Sequence, residues 1–215
     1  MNDRETALRG IAALLAAVLG CFLAPQAATQ ESNPSAAVTL VATPRLIDPD
    51  YRATVLLAVP IENNRHVGII INRPTGRSLA SLFPEHAPSK LVHDPVYFGG
   101  PMLRQAIFAV VHTDHTPGPG SIQMMSELFL ATRGAVVDHI IEEIPNQAHY
   151  FVGRVEWRPG ELRQEVDRGL WYVLDADPEL VFRKDPGRLW EDLLRRARAV
   201  TARPGGQALE PTFLD

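Results

Sequence analysis

The chain has 215 residues, 46% of them hydrophobic, and a formal net charge of −4. This size and this share of apolar residues suit one globular domain and exclude a wholly disordered chain. The acidic balance argues against nucleic acid as a general partner, because a polyanion is bound by basic surfaces.

The first thirty residues have the pattern of a secretory signal. Arg4 and Arg9 precede the apolar run IAALLAAVLGCFLA, and a polar stretch with prolines follows it. At about 14 residues the run is shorter than the roughly 20 that a membrane-spanning helix needs. We therefore predict a signal peptide or lipoprotein leader over residues 1–30 and a flexible tether over 31–37. The domain is expected in the periplasm or elsewhere outside the cytoplasm.

Cys21 is the only cysteine of the chain, so no internal disulfide can form. The stretch VLGC at 18–21 is similar to the lipobox of bacterial lipoproteins, in which the cysteine is acylated and becomes the mature N-terminus. Leu19 is larger than the residue usual at its place, and ordinary cleavage within APQAATQ is the alternative. Cys21 is thus a lipidation candidate, and contact with the membrane is expected only through the leader or a lipid anchor.

From residue 38 onward, short runs rich in β-branched and aromatic residues predict strands. These runs lie at 38–43, 54–59, 67–72, 96–98, 106–113, 128–132, 150–157 and 170–174. The loop 112–121, with two prolines and two glycines, is predicted to be an exposed hairpin connection.

Three helices are predicted from a change of hydrophobic spacing. The first has an apolar face from Val136 to Ile144, and the second runs from Pro159 to Gly169. The third follows Asp185-Pro186, an N-cap followed by proline in the first helical turn, and places Trp190 on its buried face. Strands outnumber helices and do not alternate with them, so we predict an α+β fold with a single domain over 38–200 and a disordered tail over 201–215.

Common catalytic and cofactor motifs do not occur in the sequence. It has no P-loop lysine pattern, no GxGxxG, no GxSxG and no HExxH. With its one cysteine in the leader, the domain has no thiol nucleophile and no CxxC metal site. We therefore predict no catalytic residue, no cofactor and no metal.

The best local metal candidate is the stretch His112-Thr113-Asp114-His115, which has two imidazoles and a carboxylate within four residues. Metal sites usually draw their ligands from two separated elements, and no second ligand pair with recognisable spacing occurs in the chain. We interpret the stretch as a solvated, turn-forming loop.

Three motifs together resemble the YqgE/AlgH family of bacterial proteins. They are GIIINRPTGRSL (68–79), VYFGGPM (96–102) and FVGRVEWRPGELRQEV (151–166), and the resemblance runs from about Thr39 to Ala197. It implies an α+β fold with coiled, mixed β-sheets and a few packed helices. The activity of the family is not established, and a link to transcriptional regulation has been proposed for some members.

The motif positions of the family supply the candidate residues for binding a ligand or a partner. The resemblance places them at Asn72, Arg73 and Pro74, with Thr75 following, at Gly99, Gly100 and Pro101, and at Trp157, Pro159 and Gly160. The chain departs from the family at Arg154-Val155-Glu156, where members usually have tyrosine, alanine and glycine. A groove shared by the family would be reshaped there.

The turn at 99–101 is predicted to be rigid and not to hold a phosphate, because a β-type run follows it where a phosphate loop needs a helix N-terminus. We predict that it packs beside residues 72–75, so that two strand ends form one polar, glycine-floored depression. Arg73 would contact an anion or carboxylate there, since its planar fork binds bidentately. The alternative is that Arg73 only pairs with a structural carboxylate and the glycines serve packing.

Two classes of function stay open. The first is a non-enzymatic binding or scaffold module of the cell envelope, with an unknown protein or small-molecule partner. The second is a small-molecule-binding or hydrolytic enzyme that uses Asn72 and Arg73, with His112 as a further candidate. Such an enzyme needs a titratable group within hydrogen-bond reach of Arg73 in a concave pocket. A role in gene regulation, as proposed for the family, would require the leader to stay in the cytoplasm.

Overall fold

The computed structural model describes residues 37–201. The predicted leader with Cys21, the tether before residue 37 and the tail from residue 202 lie outside the described residues. Thr201 is the last residue of a helix, so this helix includes the first residue of the predicted tail. None of the helices in the described part is long and apolar enough to cross a membrane.

Ten strands form one hydrogen-bonded sheet within the described residues. They are β1 Val38–Ala42, β2 Val55–Ile61, β3 Arg65–Ile70, β4 Pro74–Ser78, β5 Pro95–Phe98, β6 Met102–His112, β7 Ser121–Met125, β8 Leu128–Ala131, β9 Ala148–Trp157 and β10 Trp171–Asp175. Four α-helices accompany the sheet: α1 Leu79–Leu82, α2 Gly134–Glu143, α3 Glu161–Asp167 and α4 Leu189–Thr201. This architecture confirms the α+β prediction.

Strand β9 joins the two halves of the sheet. Its last three residues pair with β3, next to which the order continues as β2, β1 and β10. Its first five residues pair with β6, which is followed by β8 and β7. Strand β5 runs parallel to β9 and antiparallel to β4, so the sheet is mixed.

The hydrophobic core lies on both faces of the curled sheet. Helix α4 covers one face, where Leu189 and Leu193 pack with residues of β2, β3 and β6. On the other face, α2 covers the half around β6, and α3 covers the half around β1 with Trp157 and Trp171. Each fully buried leucine or isoleucine contributes about 1.5–3 kcal/mol relative to an exposed one, so these clusters carry much of the stability.

All eight predicted strands and all three predicted helices occur in the structure, but three details of the prediction are wrong. The loop 112–121 is not a hairpin, because β7 pairs with β8, and β8 lies between β7 and β6. The side chain of Asp185 makes no capping hydrogen bond.

Trp190 is half-buried, and its Nε1–H donates to the carbonyl of Ala42 at 2.8 Å. Removing the ring should therefore cost less than the 3–5 kcal/mol typical of a fully buried tryptophan.

His149 is a buried titratable group in the core, with 7% of its surface exposed. Its ring stacks on Tyr97 with centroids 5.1 Å apart and meets Phe182 edge-on at 5.0 Å. The carboxylate of Asp94 lies 3.4 Å from Nε2 and favours the charged form. Burial has the larger effect and lowers the pKa of His149 below its ordinary value of 6.5.

We expect His149 to make the protein less stable in acid. The unfolded chain binds a proton on this residue at a higher pH than the folded protein does. The free energy of unfolding should therefore fall as pH drops below about 6.5 and level off once pH is below the lower pKa of the folded state. Urea unfolding at pH 7.5 and 5 should show a smaller acid loss in His149→Gln than in the parent. His93→Gln, at an exposed position, should keep the full loss. An equal acid loss in all three proteins would contradict this assignment.

Candidate functional site

The two predicted turns lie side by side. Pro74 of β4 is the register partner of Tyr97 in β5. The N–H of Phe98 donates to the carbonyl of Arg73 at 2.8 Å, and the N–H of Ile70 donates to the carbonyl of Gly99 at 2.9 Å. Backbone bonds on both sides thus fix the turn at 99–101 against residues 72–75, as the sequence predicts.

The glycines of this turn do not floor a depression. Gly99 and Gly100 are buried, and each faces the backbone of β9. A Cβ at Gly99 would lie 2.3 Å from the carbonyl oxygen of Gly153, and a Cβ at Gly100 would lie 2.4 Å from that of Arg154. Contact this close is open only to residues without a side chain, so the glycines serve the packing of two backbones. This part of the predicted site is wrong.

The polar groups of the Asn72 and Thr75 side chains form hydrogen bonds with the backbone. The side-chain oxygen of Asn72 accepts from the N–H of Val55 at 2.8 Å, and its amide nitrogen donates to the carbonyl of Ala53 at 3.0 Å. The hydroxyl of Thr75 donates to the carbonyl of Val96 at 2.6 Å. Asn72 is 8% exposed, so its role is to hold the start of β2 against the end of β3.

Arg73 anchors the loop that precedes β2. Its Nη1 donates to the carbonyls of Pro49 at 3.1 Å and Asp50 at 2.8 Å, and its Nη2 donates to that of Arg52 at 2.6 Å. These partners are carbonyl oxygens, whereas the packing alternative expects a carboxylate. A guanidinium has five N–H donors, so within residues 37–201 Nε–H and one N–H of Nη2 have no acceptor. Partial burial lowers the pKa of Arg73, which stays charged at any physiological pH.

Two depressions meet at Asn72 and Arg73. The first, of about 660 Å³, is lined by Thr43, Pro44, Leu46, Ile47, Arg52, Ala53, Asn72, Arg73, Gly187 and Trp190. The second, of about 560 Å³, is lined by Asp50, Asn72, Arg73, Pro74, Thr75, Phe98 and Arg104. We call the two together the Arg73 surface. Its one carboxylate, Asp50, is paired with Arg104 at 2.5 Å.

The third family motif lies elsewhere in the fold. Trp157 pairs with His66 near the start of β3, whereas Asn72 and Arg73 follow the end of that strand. The indole N–H of Trp157 donates to Glu165 Oε2 at 3.0 Å, and the same oxygen accepts from Trp171 at 2.8 Å. Gly160 has φ +74° at the start of α3, and Pro159 beside it is exposed. Trp157, Pro159 and Gly160 therefore support α3 and are not part of the Arg73 surface.

Arg154 and Glu156, which depart from the family pattern, form an ion pair with each other. Arg154 Nε donates to Glu156 Oε1 at 2.7 Å, and Arg65 Nη2 donates to Glu156 Oε2 at 3.0 Å. The guanidinium of Arg154 also lies over the ring of Phe108, 5.1 Å from its centroid. Arg154 and Glu156 line neither depression of the Arg73 surface.

His112 lines a separate cleft of about 710 Å³ at the far end of β6 from the glycine turn. Six titratable residues line it: His112, Asp114, His115, Glu127, His139 and Glu143. His112 Nε2 lies 3.4 Å from Glu127 Oε2, and within residues 37–201 no three such groups are placed to hold a metal ion. His139 and Glu143 stand one helical turn apart, a spacing that could have pointed to this cleft from the sequence.

The cleft and the Arg73 surface have no lining residue in common. The fold separates His112 from Arg73 by the length of β6, so His112 is not the titratable group that the enzyme hypothesis needs beside Arg73.

Comparison with known proteins agrees with the motifs. Residues 39–201 match the sequence model of the AlgH-like family. A UPF0301 protein of Streptomyces coelicolor is 30% identical over 170 residues, which cover 76% of this chain and 86% of that protein. One from Thermobifida fusca is 31% identical over 166 residues, covering 73% and 84%.

Two solved structures share the fold. The solution structure of the AlgH protein from Pseudomonas aeruginosa has a TM-score of 0.60 at 24% identity, covering 78% of this chain and 93% of that one. The crystal structure of a protein from Corynebacterium diphtheriae has a TM-score of 0.57 at 23% identity, covering 88% and 95%. The family resemblance that the three motifs indicate is thereby confirmed.

Proposed function

The chain belongs to the AlgH-like family, and we propose that it is a non-enzymatic binding module that works outside the cytoplasm. Its contact surface is the Arg73 surface. The observation that carries this proposal is the state of Arg73, whose guanidinium is locked in place by three carbonyls and still has two donors left for an acceptor from outside.

The polar groups of the Arg73 surface support binding rather than catalysis. The hydroxyl of Thr43 donates to the carbonyl of Gly169 at 2.9 Å, and that of Thr75 donates to Val96. Each hydroxyl proton is thus donated to a backbone carbonyl, which cannot act as the general base that activates a nucleophile. Asp50 is neutralised by Arg104. A fixed cation between two depressions can bind and orient an anionic group.

The location outside the cytoplasm rests on the leader pattern, which precedes the family match at residue 39. Cell fractionation of the full chain should place the processed protein in the periplasm or envelope. Intact mass should show either an acylated N-terminus at Cys21 or a start near residues 28–30. Full-length protein in the cytosol would contradict export and favour the regulatory role proposed for the family.

Photo-crosslinking tests the binding surface in the native setting. A benzophenone amino acid at position 47, where the side chain is 82% exposed, should give a discrete adduct in cells that make the full chain. The same group at position 91, where leucine is 56% exposed at the end of a 3₁₀ helix that contacts α2, is the matched control and should not. Adding Arg73→Gln should reduce the adduct at 47. Equal adducts from both positions, or an adduct insensitive to Arg73, would overturn the proposed surface.

A further inference from the structure

We infer that the larger depression of the Arg73 surface binds a carboxylate carried on an apolar chain. We call this depression the Trp190 pocket; it is the one of about 660 Å³ lined by residues from Thr43 to Arg73 together with Gly187 and Trp190. The inference rests on the proposed function, because it names the class of ligand for the same surface.

The charges of the Trp190 pocket are all positive. Arg52 and Arg73 line it, and its lining includes no carboxylate side chain. The Arg52 guanidinium is exposed and makes no hydrogen bond or ion pair with the part of the chain that the structure describes. Burial is the main cause that lowers the pKa of Arg73; the nearby carboxylate of Asp50 raises it, and the like charge of Arg52 lowers it further. A bound anion would offset this repulsion and the partial desolvation of Arg73.

The geometry of Arg73 favours a flat anion with two oxygens. Its remaining donors are Nε–H and one N–H of Nη2, while both hydrogens of Nη1 are used by Pro49 and Asp50. Two neighbouring, coplanar donors match the two oxygens of one carboxylate. Because the other donors are tied to the backbone, the fork is already oriented before a ligand arrives.

The wall beside these cations is apolar. Leu46, Ile47 and the ring of Trp190 line the pocket, and Ile47 is 82% exposed. The N–H of Trp190 is occupied by the carbonyl of Ala42, so the indole contributes its apolar surface to the pocket and no donor. An exposed isoleucine next to two cations is suited to a ligand that covers apolar surface and bears a negative charge. The volume lies within the range of small-molecule sites.

Two sources could supply this chemistry: a free fatty acid, and the C-terminus of a peptide that ends in an apolar residue. Isothermal titration of the mature full chain should therefore compare decanoate with N-acetyl-leucine, both below any micelle-forming concentration. Decanol, which lacks the charge, and acetate, which lacks the chain, are the controls. We expect at least one of the two carboxylates to bind tenfold more tightly than both controls. The tighter of the two identifies the source.

Variants at exposed positions connect binding with the pocket. Ile47→Ser and Arg52→Gln should each weaken binding of the preferred carboxylate at least fivefold without moving the urea midpoint, because both side chains are exposed. Leu91→Ser and Arg158→Gln, at exposed positions outside the pocket, should bind like the parent. Equal binding of decanol, or unchanged binding by Ile47→Ser and Arg52→Gln, would overturn the inference. If crosslinking from position 47 succeeds and both carboxylates fail to bind, the ligand class is wrong and the proposed binding function stands.

Discussion

Replacing Gly153 with alanine should lower the free energy of unfolding by about 2–5 kcal/mol, from left-handed backbone strain of about 1–2 and overpacking of about 1–3. Gly153 has φ +73°, and a Cβ there would lie 2.1 Å from the carbonyl oxygen of Gly100. The residue sits in β9 where that strand passes from one half of the sheet to the other. Urea unfolding followed by circular dichroism measures the loss.

Gly160 is the matched control for this prediction. It has φ +74°, nearly the same backbone conformation, but nothing lies within 4 Å of a Cβ built there. Gly160→Ala should therefore lose only the conformational part, about 1–2 kcal/mol. Equal losses in the two variants would mean that the contact between Gly153 and Gly100 relaxes freely, contrary to the packing described above.

Replacing Glu165 with leucine should lower the free energy of unfolding by about 2–5 kcal/mol, because two buried indole N–H groups lose their acceptor. Trp157 and Trp171 are 3% and 4% exposed, and both donate to the same oxygen of Glu165. The side chain of leucine fills similar space and accepts no hydrogen bond. The change should also alter the tryptophan fluorescence of the folded protein.

Glu165→Gln keeps a hydrogen-bond acceptor at this position and removes the negative charge. Its amide oxygen can accept from the indoles, so it should retain more than half of the stability lost in Glu165→Leu. Glu161→Leu, in the first turn of the same helix, is the control for a surface carboxylate of α3 that contacts neither indole. If Glu165→Leu is no less stable than Glu165→Gln, the two indole bonds contribute little.

The strands that the sequence predicts correctly are those with apolar runs. VTLVA of β1 and VLLAVP at the start of β2 are apolar because both faces of the sheet are covered there. Strand β4, PTGRS, is exposed at all five residues and has no apolar side chain besides proline, so no hydrophobic alternation could indicate it. The hairpin predicted at 112–121 is wrong because prolines and glycines indicate a turn but not which strands pair. Tertiary pairing places β8 between β6 and β7.

The candidate site was predictable in its position and not in its contacts. Two turns that follow neighbouring strands could be expected to meet, and residues 72–75 do meet 99–101. Positions 99 and 100 require glycine because the backbone of Gly153 and Arg154, some fifty positions later in the chain, packs against them. The partners of Arg73 are carbonyls of Pro49, Asp50 and Arg52, and every residue type has a carbonyl. A contact of this kind leaves no trace in side-chain patterns.

The same contact makes the loop before β2 a place where relatives can diverge. Arg73 holds this loop through main-chain oxygens alone, so the side chains at positions 49, 50 and 52 can change without loosening the anchor. Positions 52 and 50 line the first and the second depression, and their side chains set the charge and shape that a ligand contacts there. Evolution can thus alter selectivity by point substitution in one short loop while the scaffold and its arginine stay constant.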